Sequence, residues 1–379
     1  MALISDEIVT HFEEITDPRV DRGRNHPLLE LIFIALTGYL CGCNDWVDVE
    51  RFARSRESWF AKYLKLPFGI ASHDTFSRVF SRLDTAQFLV AMHKWVDEFA
   101  GSLRDQGVAI DGKVLRGSFD KAAGKSALHT ISAFATATRV CLRQATVSDK
   151  SNEIPSVPEM LKLLELNGAI VTLDAMHCQK ETAAAILDAK ADYILAVKDN
   201  QPTLFSLLHD LFEEALEDSS KTKVYKHVVC GKGHGRKERR EHLTIKAPPH
   251  MALVAWPGLQ SITMVCRNAT FISGNKPDRE NVMYYISSLK PKVKTLAKHI
   301  RGHWAIENSL HHVLDVTFTE DRSRIRKGSG PEVSSCLRKM AANILQLDTT
   351  IKDNIRGKRH AAGWDSEALE RLYAGFLDN

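Results

Sequence analysis

The order of hydrophobic periodicities predicts an α/β protein: a mixed sheet, an all-helical first domain and a β-rich insertion. Three observations carry this. Apolar residues recur at helical spacing to about Ala100. From Gly107, β-branched runs take over and then alternate with helical segments. Between about Ser219 and Leu289 the helical periodicity disappears.

In the first domain (1–103), Leu28, Leu29, Ile32, Phe33 and Leu36, and later Phe88, Met92, Trp95, Val96 and Phe99, mark helix faces turned inward. The most apolar stretch, 31–43, is 13 residues long. A membrane span needs roughly 20, so the stretch predicts a buried helix. Ser72 offers N-cap chemistry to a short helix with Phe76, Val79, Phe80 and Leu83 inside and Arg78 and Arg82 outside. With seven basic and two acidic residues in 51–82, that helix reads either as the second member of a DNA-binding helix-turn-helix or as a plain packing helix.

The core's first part (104–218) has strands at 108–110, 129–137 and 140–147, a helix at 158–166, a strand at 169–173, a helix at 180–189, a strand at 193–197 and a helix at 203–216. This βββαβαβα order predicts a mixed sheet covered by helices, with βαβ connections late in the chain. The insertion (219–290) has strands at 224–229, 242–245, 261–267 and 282–286. The core is completed by 291–350, with helix from Lys294 through 300–316, a polar loop at 321–330 and a helix at 332–347, and a C-terminal tail (351–379) follows.

Composition narrows the class. With 44% hydrophobic and 26% charged residues, the chain reads as a globular protein of two or three domains. Its net charge of +4 is too small to argue for nucleic acid by itself. Seven scattered cysteines form no C-x-x-C pair, so neither a zinc ribbon nor a disulfide framework is indicated, and a reducing cytoplasm fits best. Asp6, Glu7, Glu13 and Glu14 argue against a signal peptide. The absence of a G-x-x-x-x-G-K-[ST] loop argues against an ATP-driven helper.

The candidate acids are Asp111, after the apolar run Val-Ala-Ile and before a small Gly112 that leaves room for a ligand, and Asp174, after Ile-Val-Thr-Leu; singly, each also reads as a turn former. Both sit at expected strand ends, where open sheets with parallel strands bind ligands. A third acid, Glu307, falls on a helix stripe with His303 and His311 at i, i+4 and i+8. Three carboxylates from two strands and one helix suit two divalent cations, magnesium or manganese, and phosphoryl transfer on nucleic acid. A zinc site made from the histidine stripe is the rival. At 1.5 Å per residue its outer pair lies about 12 Å apart, too far for one ion.

Basic groups cluster in 221–250, with nine Lys or Arg against two Glu. Such a density reads as a solvated hairpin or, because 231–240 combines glycine flexibility with cation density, as a phosphate-contacting loop carrying Arg236, Lys237, Arg239 and Arg240. Arg322, Arg324, Arg326 and Lys327 form a second basic run. Lys113 and Arg116, and Lys198, Asn200 and Gln201, lie close in sequence to the acids and are further DNA-contact candidates.

Six blocks give the chain a specific resemblance: Asp17-Pro-Arg-Val-Asp-Arg-Gly-Arg-Asn-His-Pro27, Ile110-Asp-Gly-Lys-Val-Leu-Arg-Gly-Ser118, Thr172-Leu-Asp-Ala-Met-His-Cys-Gln179, Val197-Lys-Asp-Asn-Gln201, His234-Gly-Arg236 and His303-Trp-Ala-Ile-Glu-Asn308. Across nearly its whole length it resembles insertion-sequence transposases of the DDE superfamily, in the branch of the H-repeat-associated proteins. The resemblance implies a ribonuclease-H-like core with Asp111, Asp174 and Glu307 as the acidic triad binding two Mg2+ (or Mn2+). It also implies double-stranded DNA as partner, both terminal inverted repeats and target, a homodimer at synapsis, and a cytoplasmic, nucleoid-associated place. Better-known relatives carry a tyrosine and an arginine before the glutamate and a lysine after it. Here Ile300, His303 and Leu314 stand there, leaving Arg301, His303 and His311 as substitutes. These departures motivate the alternative, a catalytically inactive transposase-derived DNA-binding protein.

Overall fold

A computed structural model describes residues 10–119, 124–147, 153–218, 220–233, 235–272 and 277–377. The expectations for Asp6, Glu7 and His234 lie outside the described residues. The chain divides into two compact units, one of Met1–Ser102, Gly112–Glu153 and Ile306–Asn379, the other of Leu103–Asp111 and Ile154–Ala305.

The first unit opens with helices α1 (Leu28–Leu40), α2 (Trp46–Ser55), α3 (His73–Phe80) and α4 (Thr85–Asp97). As the composition of 31–43 predicts, nearly every residue of α1 is buried. Asp45, Ser72 and Asp84 cap the next three helices by accepting from Asp48, Thr75 and Ala86 backbone N–H groups, satisfying amides a helix start leaves open. The tight helix-turn-helix is not formed. Residues 56–72, with a short helical turn at Glu57–Phe60, separate α2 from α3, whereas the motif needs a turn of about 3–4 residues.

Strand β1 (Gly107–Leu115) is shared between the units, and β2 (Leu128–Ala135) and β3 (Val140–Val147) pair antiparallel in the first. The second unit continues with α5 (Glu153–Leu161), β4 (Ile170–Leu173), α6 (Lys180–Asp188), β5 (Asp192–Val197) and α7 (Pro202–Glu217). Next come β6 (Tyr225–Gly233), β7 (Arg236–Lys246), β8 (Ser261–Phe271), β9 (Arg279–Ser287) and α8 (Val293–Ile306). Helix α5 starts earlier than the sequence reading placed it, with Pro158 inside.

The mixed sheet has the order β3-β2-β1-β4-β5-β9-β8-β7-β6. Strands β1, β4 and β5 are parallel neighbours. With the antiparallel β2–β3 pair beside them, they give the ribonuclease-H-like order. The β-rich segment extends this sheet: β9 pairs antiparallel with β5, and β8, β7 and β6 follow as a meander. Helix α8 packs Leu296 and Ile300 on Ile170, Ile194 and Val265, which fixes it across one face of the second unit's strands.

In the first unit the chain resumes with a π-helical turn, Glu307–His311, then α9 (His312–Val316), α10 (Gly330–Leu347), α11 (Ile355–Trp364) and α12 (Ser366–Leu377). The described part of 351–379, read from sequence as a tail, therefore carries two helices. They are held by burial of Leu369, Leu372, Tyr373 and Phe376, with Tyr373 accepting or donating a 2.8 Å bond at Thr37.

Candidate active site and nucleic-acid interface

Parallel register builds the acid pair. Gly107 through Ile110 align with Ile170 through Leu173, so Asp111 and Asp174 follow side by side on strands about 4.8 Å apart, with side chains on the same face. One detail differs from the sequence reading. β1 runs on to Leu115, so Asp111 lies within the strand, at the point where its pairing with β4 stops. The space beside Gly112 is filled by the buried Glu153 carboxylate.

Asp174 leads into a one-turn 3₁₀ helix, Ala175–His177. Its Oδ1 is buried and has no hydrogen-bond partner among the described residues. The fully buried His177 places Nε2 3.9 Å from it, and burial followed by the Asp174 charge pushes the neighbouring Cys178 thiol up to about 12. A buried carboxylate oxygen without a donor is costly. Hard cations are what such oxygens accept, and Mg2+ is commonly held by one or two carboxylates together with substrate phosphates. The pair therefore fits a divalent ion, although no group of three or more His, Cys, Asp or Glu is assembled as a metal cage among the described residues.

His303, on α8, turns onto this sheet face. Its Nδ1 is 3.0 Å from Thr172 Oγ1, and burial pushes the imidazole down to about 4 against the pull of Asp174. The ring is held at Thr172, on the strand that leads into Asp174. Ile300 and Leu314 are core residues, so these three signature positions serve packing here. Glu307 is exposed, the first residue of the π-helical turn that also holds His311. Such π-helical turns recur at functional sites.

Several proposed phosphate contacts are engaged elsewhere. Lys113 is buried among Asp315, Glu320 and Asp321, its Nζ 2.7 Å from Glu320 Oε2. Burial raises the Glu320 carboxyl, but Lys113, Lys339 and Arg338 outweigh it and hold it down to about 2. Asn200 Nδ2 donates to Ala175 O at 2.6 Å and Gln201 Nε2 to Cys178 O at 2.9 Å. Arg326 donates to Gly117 O at 3.0 Å and lies over Phe119. Arg116, Lys198, Arg322 and Arg324 remain exposed, Arg116 with Nε 3.6 Å from Asp321.

Of the two readings of 231–240, the described residues form the hairpin: Gly231–Gly233 and Arg236–Arg240 lie in paired strands, Gly233 opposite Arg236 through Val229 opposite Arg240, with alternate residues of β7 on opposite faces of the ladder. On one face Arg236, Arg240 and, from β8, Arg267 share the single Glu238 carboxylate. Burial, then Arg301 beside it, pushes the Arg240 guanidinium down despite Glu238. The cluster, with Arg301 exposed on α8, keeps a net positive charge. On the other face Arg239 and Lys226 pair with Glu241, and Lys237 is exposed. Sequence reading missed Arg267 and His177. Arg267 joins the cluster only through cross-strand pairing, which has no local signal, whereas His177 was visible three residues after Asp174 in a block already singled out.

The family described as "Transposase DDE domain" matches residues 102–344. The chain belongs to the DDE transposase family. The preceding helices match "DDE_Tnp_1-associated" over residues 9–96. This DDE transposase family member is 36% identical over 371 residues to "Putative transposase YncI" of Escherichia coli O157:H7, covering 97% of this chain and 94% of that one. It is 33% identical over 372 residues to "H repeat-associated putative transposase YhhI" of Escherichia coli (strain K12), covering 97% and 98%. These relatives place it in the H-repeat branch of the DDE superfamily. Among solved structures, a piggyBac transposase synaptic complex with hairpin DNA aligns with 98% of this chain and 78% of that chain at 11% identity and a TM-score of 0.45. No helix among the described residues is long and apolar enough to cross a membrane.

Proposed function

We propose that this DDE transposase family member cuts double-stranded DNA at the terminal inverted repeats of an insertion sequence and joins the freed end to target DNA, with Asp111, Asp174 and Glu307 as its acidic set. The observation that carries the reading is the register that sets Asp111 beside Asp174, together with the donor-less buried Oδ1 of Asp174. Mg2+ or Mn2+, two per site, would supply charge neutralisation at the phosphodiester and a more acidic attacking oxygen. The three carboxylates supply the anionic oxygens that hold this charge. Water opens the phosphodiester to leave a 3′-hydroxyl and a 5′-phosphate. The 3′-hydroxyl then attacks a target phosphodiester, forming one bond as another breaks, so no covalent protein nucleophile is needed.

The arginines around Glu238, with Lys237, Arg239 and Arg301, and the exposed Arg116, Lys198, Arg322 and Arg324 serve phosphate contact along the duplex. His311 beside Glu307 is placed with them. Synapsis of two ends calls for a homodimer, and the reaction places the protein at the nucleoid. The test is Glu307→Gln: it keeps the fold and DNA binding and abolishes cleavage of a repeat-bearing duplex. Retained cleavage would remove Glu307 from the acidic set.

A further inference from the structure

The turn that carries Asp174 is stapled at both ends by side chains from the neighbouring strand's loop. Ala175–His177 is a single 3₁₀ turn with Asp174 at its N-cap and Cys178 at its C-cap, held internally by His177 N–H to Asp174 O at 3.3 Å and Cys178 N–H to Ala175 O at 3.1 Å. Such a short turn has few bonds of its own and poor hydrogen-bond geometry. Strand β5 pairs with β4 in register, Leu195 opposite Leu173, so the loop after Val197 lies alongside. There Gln201 N–H closes on Lys198 O at 2.9 Å, and the two amides reach Ala175 O and Cys178 O. Gln201 sits at the N-cap of α7 without capping it; its side chain is committed to Cys178 instead.

We infer that Asn200 and Gln201 are positioning residues: they fix the backbone on which the Asp174 carboxylate is aimed and thereby set the affinity of the acid pair for a divalent cation. This rests on the reading of Asp111 and Asp174 as cation ligands. The amides act through the turn, since they donate to main-chain carbonyls on either side of it. Hydrogen bonds made directly to a metal ligand change affinity by about 10–100-fold when removed, and bonds acting through the turn fall at the low end of that range. Asp174 Oδ1, buried without a donor, has no side-chain bond of its own among the described residues to hold its aim, so the backbone staple takes that task.

The experiment measures Mn2+ binding to the full chain by electron paramagnetic resonance, for wild type, Asn200→Ala, Gln201→Ala, the double variant and Asp174→Asn. Duplex DNA binding without divalent ions and thermal melting are followed alongside. The inference expects the single variants to melt near wild type and keep metal-free DNA affinity, while Mn2+ affinity falls about 10-fold in each and further in the double variant. Wild-type Mn2+ affinity in folded single variants overturns the inference and leaves the acid-pair reading intact. Loss of DNA affinity with Mn2+ binding unchanged also overturns it, in favour of direct DNA contact by the two amides. Absence of Asp174-dependent Mn2+ binding in wild type overturns the acid-pair reading itself.

Discussion

Lys113 shows how a residue's chemistry is decided by what folds around it. From sequence it is a cation two positions from Asp111. In the fold its ammonium is buried against Asp315 and Glu320, and Lys113→Met would leave Glu320 without its principal cation. Breaking a buried pair by removing one partner costs about 3–5 kcal/mol, to be read from denaturant unfolding near neutral pH; equal stability would contradict the assignment. The sign of the pH effect follows from the Glu320 carboxyl lying at about 2 in the fold against 4.5 unperturbed. Its stabilisation is complete above the unperturbed value and is lost as pH falls toward the folded one. The gap between wild type and variant should therefore narrow on acidification. Gly117 is constrained by proximity: a Cβ there would collide with the Ser323 carbonyl, so Gly117→Ala should cost about 1–3 kcal/mol, and an unchanged melting point would show that the loop yields.

Among the elements, the edge strand β3 is closed by a side chain. Asn343 of α10 accepts from Cys141 N–H and donates to Cys141 O, both at 2.9 Å, which occupies groups an edge strand would otherwise offer to another chain. Asn343→Ala leaves buried main-chain groups unsatisfied, at about 1–3 kcal/mol each, and should speed hydrogen exchange at Cys141; exchange as slow as wild type would contradict this role. The β6–β7 ladder carries the DNA prediction. If Arg240 meets a phosphate, Arg240→Gln lowers the slope of log affinity against log salt by about 1. An unchanged slope assigns the cluster to sheet structure alone. Element types and order were legible because helical and alternating periodicities differ strongly, as 28–40 and 140–147 show. The length of β7 was not. Glycine and arginine around 231–240 have the composition of a loop, and only pairing with β6 and β8 reveals a strand.

At the scale of the whole molecule, the candidate acids were legible and their surroundings were not. Asp111 and Asp174 each follow a short apolar run, a local signal, and parallel pairing of β1 with β4 converts it into adjacency. The roles of Asn200, Gln201, Lys113 and His303 depend on partners 23 to 207 positions away, which no local pattern encodes. Family membership and the acid pair together support the proposed metal-dependent DNA cutting. It is tested most directly by cleavage of a labelled duplex carrying the element's terminal repeat, with Mg2+ or Mn2+, comparing wild type with Asp111→Asn and Asp174→Asn. Wild type should nick the duplex only with metal, and each variant should lose at least about 100-fold while keeping DNA binding. Nicking that survives in both variants would contradict the assigned acids, and binding without nicking in all three proteins would contradict the catalytic claim.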